Sequence, residues 1–185
     1  MPNWAYTSYR IVGRKEYIVD LYNKIEQLGK SAEALVPSDF GNYWLGCLIT
    51  ILDGDWKEVH CRGSITCYSM DDDVLSVETE TAWGEMDEVR HFIEKVYPGL
   101  KVYYYEEECG CEIYQTNDKH GHFFPERYIL DDLEGDGPEY YDDIDSLLKA
   151  ASDIFGKELK AMADIEDIVE NSDGYSLHNI KVVND

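Results

Sequence analysis

Two stretches of alternating polarity flank the acidic tripeptide Asp71-Asp72-Asp73, and they constrain the fold more than any other feature of the chain. Before it, Val59, Cys61, Gly63, Ile65 and Cys67 alternate with His60, Arg62, Ser64, Thr66 and Tyr68. After it, Leu75, Val77, Thr79 and Thr81 alternate with Ser76, Glu78 and Glu80. Successive side chains of a strand point to opposite faces, so this period of two predicts a hairpin with one buried and one wet face. A sheet with one apolar face needs a second layer to cover it. Two segments of helical spacing supply that layer. Ile18, Leu21, Tyr22, Ile25 and Leu28 recur up to Gly29, and Met86, Val89, Phe92, Ile93 and Val96 recur up to Pro98-Gly99. Further strands are predicted over residues 4–12, closed by Gly13, and over 100–107.

The order strand, helix, strand, strand, helix, strand is that of the split βαβ, or ferredoxin-like, arrangement. The expected class is therefore α+β, with an antiparallel sheet and helices on one face. Decorations are a loop over 30–41, a short helix carrying Leu45, Leu48, Ile49 and Leu52 that ends at Gly54, and strands over 111–116 and 123–130. Beyond these, Ile144, Leu147, Leu148, Ala151, Phe155, Leu159 and Met162 predict one long helix running on through Ile165 and Val169, then a short strand over 180–183. The expected division is a ferredoxin-like domain over 1–130, then an acidic linker with a C-terminal helix and strand over 131–185, packed on that core.

Charge bears on function. Against 16 Lys and Arg stand 39 Asp and Glu, a net charge of -23, which argues against direct nucleic-acid or anionic-membrane binding. The chain is nonetheless 44% hydrophobic and 13% aromatic, too apolar for disorder. No run of about 18 apolar residues is present, so no membrane span is expected. Met1-Pro2-Asn3-Trp4 does not read as a signal peptide, so the cytoplasm is the expected location. The odd cysteine count of five reads as reduced thiols rather than a disulfide framework. The excess charge is concentrated late: between residues 131 and 145, eight of fifteen side chains are acidic and none is basic, and Gly135, Gly137 and Pro138 add the character of a linker.

Four constellations carry candidate chemistry. Cys109, Cys111, His120 and His122 would offer two thiolates and two imidazoles for tetrahedral zinc if residues 109–124 formed a hairpin, although a one-residue gap between cysteines is an uncommon spacing. His60, Arg62, Tyr68, Glu78 and Glu80, with alternate residues of Tyr103-Tyr104-Tyr105, form the expected polar sheet face. There Arg62 would pair with Glu78 and Glu80, under the C-terminal helix or a partner chain such as a second copy. The same Glu78, Glu80 and His60 are the residues a general acid/base group would use. Glu106-Glu107-Glu108 and Asp71-Asp72-Asp73 read as surface. The fourth is the acidic tract itself, whose carboxylates would imitate a phosphate backbone.

The opening Pro2-Asn3-Trp4 before an alternating strand and Gly13, Thr81-Ala82-Trp83 leading a helix, and the run YPGLKVYYYEEECGCEIY over 97–114 resemble the YubB-like family of plasmid, phage and mobile-element proteins. The segment DGDWKEVHCRGSITCY over 53–68 stands where members carry their central hairpin, and the resemblance covers residues 2–130. It implies a ferredoxin-like fold and a bacterial mobile-element accessory role, and brings no catalytic residues. Members commonly have a cysteine after the opening Trp; Ala5 stands there in this chain, which speaks against a thiol function at that end. The expectation is a non-enzymatic interaction protein without a cofactor, acting on a protein partner as an acidic competitor for a nucleic-acid-binding protein. The alternative is a small metal-dependent enzyme or zinc-stabilised module built on the Cys/His set.

Overall fold

The computed structural model describes residues 3–184, so Met1, Asp185 and Pro2 of the opening motif lie outside the described residues. Among the described residues the protein is α+β, with five α-helices and mostly antiparallel sheets. Two compact units divide the chain, Met1–Ile113 and Tyr114–Asp185.

In the first unit, β1 (Trp4–Val12) leads into α1 (Lys15–Lys30) and α2 (Leu45–Ile51). The hairpin of β2 (Gly63–Asp71) and β3 (Val74–Ala82) follows, then α3 (Asp87–Val96) and β4 (Lys101–Glu108). The strands lie in the order β2-β3-β1-β4, and each neighbouring pair is antiparallel. Alternation decides which face is covered. Ala5, Tyr9 and Ile11 of β1, Leu75 and Val77 of β3, and Val102 and Tyr104 of β4 are all buried. Ile18, Leu21, Ile25 and Leu28 of α1 and Val89 and Ile93 of α3 supply the other side of this core. Each such side chain contributes roughly 1.5–3 kcal/mol when fully buried. Gly13 ends β1 because nothing larger fits: its φ is +146°, and a Cβ there would stand 2.8 Å from the Gly99 carbonyl oxygen.

The strand predicted over 59–68 is shorter and changes phase. β2 begins at Gly63, and residues 59–62 precede it as a loop. Ile65 stands opposite Thr79 and Cys67 opposite Glu78, so Thr66 is the extra residue of a β-bulge. Because the side-chain period is two, that one residue exchanges the faces of everything beyond it.

In the second unit, β5 (Ile113–Thr116) is followed by β6 (Tyr128–Asp132), β7 (Gly137–Tyr141), α4 (Ile144–Phe155), α5 (Met162–Glu170), β8 (Tyr175–Asn179) and β9 (Lys181–Val182). β6 is the middle strand between β7 and β8, and β5 pairs in parallel with β9. Leu130, Leu147, Ala151, Leu159 and Ile165 form a small core of this unit's own. The acidic run expected as a linker is ordered: it supplies the end of β6, the turn to β7, β7 itself and the start of α4. The long helix is two helices. Gly156, at φ +66°, takes the left-handed conformation that stops α4, and the Asp164 carboxylate accepts the Lys160 and Ala161 N–H groups at 2.8 and 3.0 Å where α5 begins.

Candidate functional site

Glu78 and Glu80 stand on the polar face of the first unit's sheet, alternating with the buried Val77, Thr79 and Thr81. The other residues expected beside them are elsewhere. His60 and Arg62 lie in the loop before β2. Tyr68, beyond the bulge, stands opposite Val77, with its ring 5.7 Å from Tyr22 and 5.9 Å from Tyr43. Its hydrogen bond to the Tyr43 hydroxyl, reinforced by burial, pushes the Tyr68 phenol up to about 12. Cys67 takes the place beside Glu78. The ion pair expected of Arg62 is made by Arg10 of β1, whose Nη1 donates to Glu78 Oε1 at 3.1 Å, while the Ser8 hydroxyl donates to Glu78 Oε2. Glu80 accepts the Tyr6 hydroxyl and holds that phenol above its ordinary value. Ser8 and Arg10 occupy the polar positions of β1, so the parity was legible; which strand lies beside β3 was not.

Two glutamates expected at the surface are interior. Glu106 and Glu108 continue the alternation of Val102 and Tyr104 and are 1% and 3% exposed. Glu106 Oε1 accepts the Glu85 N–H at 2.7 Å. Glu85 Oε1 in turn accepts the Tyr9 hydroxyl and Arg90 Nε, both at 3.1 Å, and the Arg90 guanidinium lies 5.1 Å from the centre of the Tyr104 ring. Burial pushes Glu85 up to about 7, against the opposing pull of Arg90 and the Tyr9 bond. The network therefore holds a carboxyl that changes charge near neutrality. Sequence reasoning missed it because Glu85 and Arg90 sit on no alternating strand, although counting β4 in twos reaches Glu106.

Residues 109–124 do not form the single hairpin expected of the Cys/His set. Cys109 and Cys111 belong to a 3-10 turn capped by Glu108, whose carboxylate accepts the Gly110 and Cys111 N–H groups, each at 2.8 Å. The Cys111 thiol is hydrogen-bonded to Glu108, which raises its pKa and disfavours the thiolate a metal needs. His120 and His122 are exposed on a loop of the second unit, with ring centres 5.7 Å apart. Asp118 organises that loop: its Oδ2 accepts the Phe123 and Phe124 N–H groups at 2.6 and 3.1 Å. Burial works against its charge, but these donors prevail and hold the carboxyl below its ordinary value. Among the described residues no three His, Cys, Asp or Glu side chains group so as to hold a metal ion.

The acidic hairpin divides by role. Three of its carboxylates are occupied within the fold. Asp132 accepts the Glu134 N–H at 3.2 Å, Glu139 accepts the Tyr141 hydroxyl at 2.5 Å, and Asp143 caps α4 by accepting the Ser146 N–H at 2.8 Å. Burial and Glu139 together raise the Tyr141 phenol well above its ordinary value. Glu134, Asp136, Asp142 and Asp145 are exposed, carried on a β-hairpin and the first turn of a helix. Ordered backbone thus presents four carboxylates to solvent, with exposed Leu133 and Tyr140 among them.

Compared with protein-family models, with curated proteins and with solved structures, the chain matches none.

Proposed function

We propose that the protein is a non-enzymatic interaction protein of a bacterial mobile element, acting as an acidic competitor for a nucleic-acid-binding partner. The observation that carries this reading is the ordering of the acidic run. Glu134, Asp136, Asp142 and Asp145 stand on a hairpin and a helix start rather than on a loose tether. Fixed carboxylates lose little conformational freedom on meeting a basic surface, which is what imitation of a phosphate backbone requires. The second unit concentrates this charge: residues 114–185 hold 18 acids and 6 bases, a net of -12. A divergent ferredoxin-like core of the YubB-like kind is part of the proposal. The strand order β2-β3-β1-β4 supports it, with β1 and β2 parallel on either side of β3 and a helix before each of β2 and β4.

The test is capture from host lysate on the immobilised full chain, eluted first with duplex DNA and then with salt. A partner released by DNA, and no longer held when Glu134, Asp136, Asp142 and Asp145 are changed to Gln or Asn, is the expected result. Capture that neither DNA nor the neutralised variant affects would remove the competitor reading.

A further inference from the structure

The loop that replaces the start of the predicted strand builds a groove on the first unit. Its volume is about 690 Å³, within the range of small-molecule sites. Phe40, Trp44 and Trp56 form an aromatic wall: Phe40 stacks on Trp44 at 5.8 Å between ring centres, and Trp56 meets Trp44 edge-on at 5.0 Å. Gly46 makes the arrangement possible, since a Cβ there would stand 2.4 Å from the Trp44 ring.

The groove carries two cationic side chains, Lys57 and Arg62. Trp44 is 7% exposed, and its indole N–H is buried and finds no acceptor among the described residues. Lys57 and Arg62 are exposed beside it, with the Lys57 ammonium resting 5.7 Å from the centre of the Trp56 ring. Two carboxylates also line the groove. One of them, Glu88, uses Oε2 to accept the His60 N–H at 2.7 Å and so anchors the loop; Glu58 is exposed. A chain of net charge -23 repels polyanions strongly, whereas a small monoanion feels mainly the charges within a Debye length of about 8 Å.

We propose that this groove binds a small flat carboxylate anion, an aromatic or heteroaromatic acid. Its ring lies against Phe40 and half-buried Trp56, and its carboxylate oxygens meet the donors of Lys57 and Arg62. The site is independent of the acidic hairpin and of the interaction reading.

The experiment is calorimetric titration of the full chain with three probes of one shape: 2-naphthoate, 2-naphthalenemethanol and 2-naphthylmethylamine. The overall field of the protein favours the amine, so a preference for the anion has to arise locally. Naphthoate is expected to bind at least about fivefold more tightly than the alcohol and about tenfold more tightly than the amine. Arg62→Glu should abolish that preference while leaving the alcohol unchanged, and Trp56→Ala should weaken all three. If Trp56→Ala fails to fold, the exposed Arg62→Glu decides alone. Absence of naphthoate binding, equal binding of the amine, or a preference that survives Arg62→Glu would each overturn the proposal.

Discussion

Arg90 and Glu85 meet at 3.1 Å with both side chains only 4% exposed, so the first unit carries an ion pair inside its core. Such a pair is weak evidence for stability as a whole, but at pH values well above 7, where Glu85 is charged, removal of Arg90 leaves a buried carboxylate uncompensated. At about pH 9 Arg90→Leu is therefore expected to cost about 3–5 kcal/mol, read as a fall in the urea midpoint. The double variant Glu85→Leu with Arg90→Leu should recover most of the loss. A double variant no more stable than the single one would show that Arg90 matters through packing on Tyr104 instead.

The same pair gives the protein a stability limb near neutrality. Folded, Glu85 keeps its proton up to about pH 7; unfolded, it releases it near 4.5. Between those values the folded chain binds more protons, so this group's contribution falls as pH rises, by at most about 3 kcal/mol, and the penalty is complete above 7. Glu108, Asp118, Asp143 and Asp164 behave oppositely. Their folded values are lowered, so their contribution is present above the ordinary carboxylate range and is lost as pH falls through those lowered values. Stability is expected to peak at about pH 5, and Glu85→Gln should flatten the decline between about 5 and 7. Thermal melts across that interval decide it: parallel curves for the wild-type and Glu85→Gln proteins refute the assignment.

Within the acidic hairpin, charge and structure should separate cleanly. Asp143→Ala removes the cap of α4 and is expected to cost about 1 kcal/mol. Glu134→Gln with Asp136→Asn, which alters exposed side chains only, should stay within about 0.5 kcal/mol of the parent. Denaturant midpoints of the two variants make the comparison, and equal losses would mean that the exposed pair is structural after all.

Thiol chemistry should rank the cysteines. Exposed Cys109 is expected to react with a thiol reagent before Cys111, whose proton Glu108 retains, and Glu108→Gln should narrow the gap. Peptide mapping after brief labelling reads the order. Zinc analysis of the purified protein belongs beside it. Less than about a tenth of an equivalent is expected, and a full equivalent lost on Cys111→Ser would establish the zinc alternative instead.

The elements of the first unit were legible because hydrophobic spacing marks them strongly. Ile18 to Leu28 and Val89 to Ile93 bury the residues that their spacing selects. What spacing does not carry is the pairing between distant strands, and so Arg10 rather than Arg62 meets Glu78. Apolar spacing also runs past a stop when the residues beyond it are buried for another reason. Leu159, 6% exposed and with its N–H on Ser152 Oγ at 3.0 Å, imitated a continuing helix across Gly156. Acidic composition was read as a linker, whereas Tyr128, Leu130 and Tyr141 anchor the hairpin within the core of the second unit.

A strand keeps its sidedness only while its residues are counted evenly against a partner, and Thr66 makes the count odd once. The two ends of β2 therefore obey opposite rules of substitution. Before Thr66, an apolar side chain belongs at odd-numbered positions such as Ile65; after it, at even-numbered ones such as Tyr68. Loss of that single residue from the chain would restore a uniform rhythm without moving a neighbour: Ile65, Cys67 and Tyr68 would still face Thr79, Glu78 and Val77, and Tyr68 would keep its place beside Tyr22 and Tyr43.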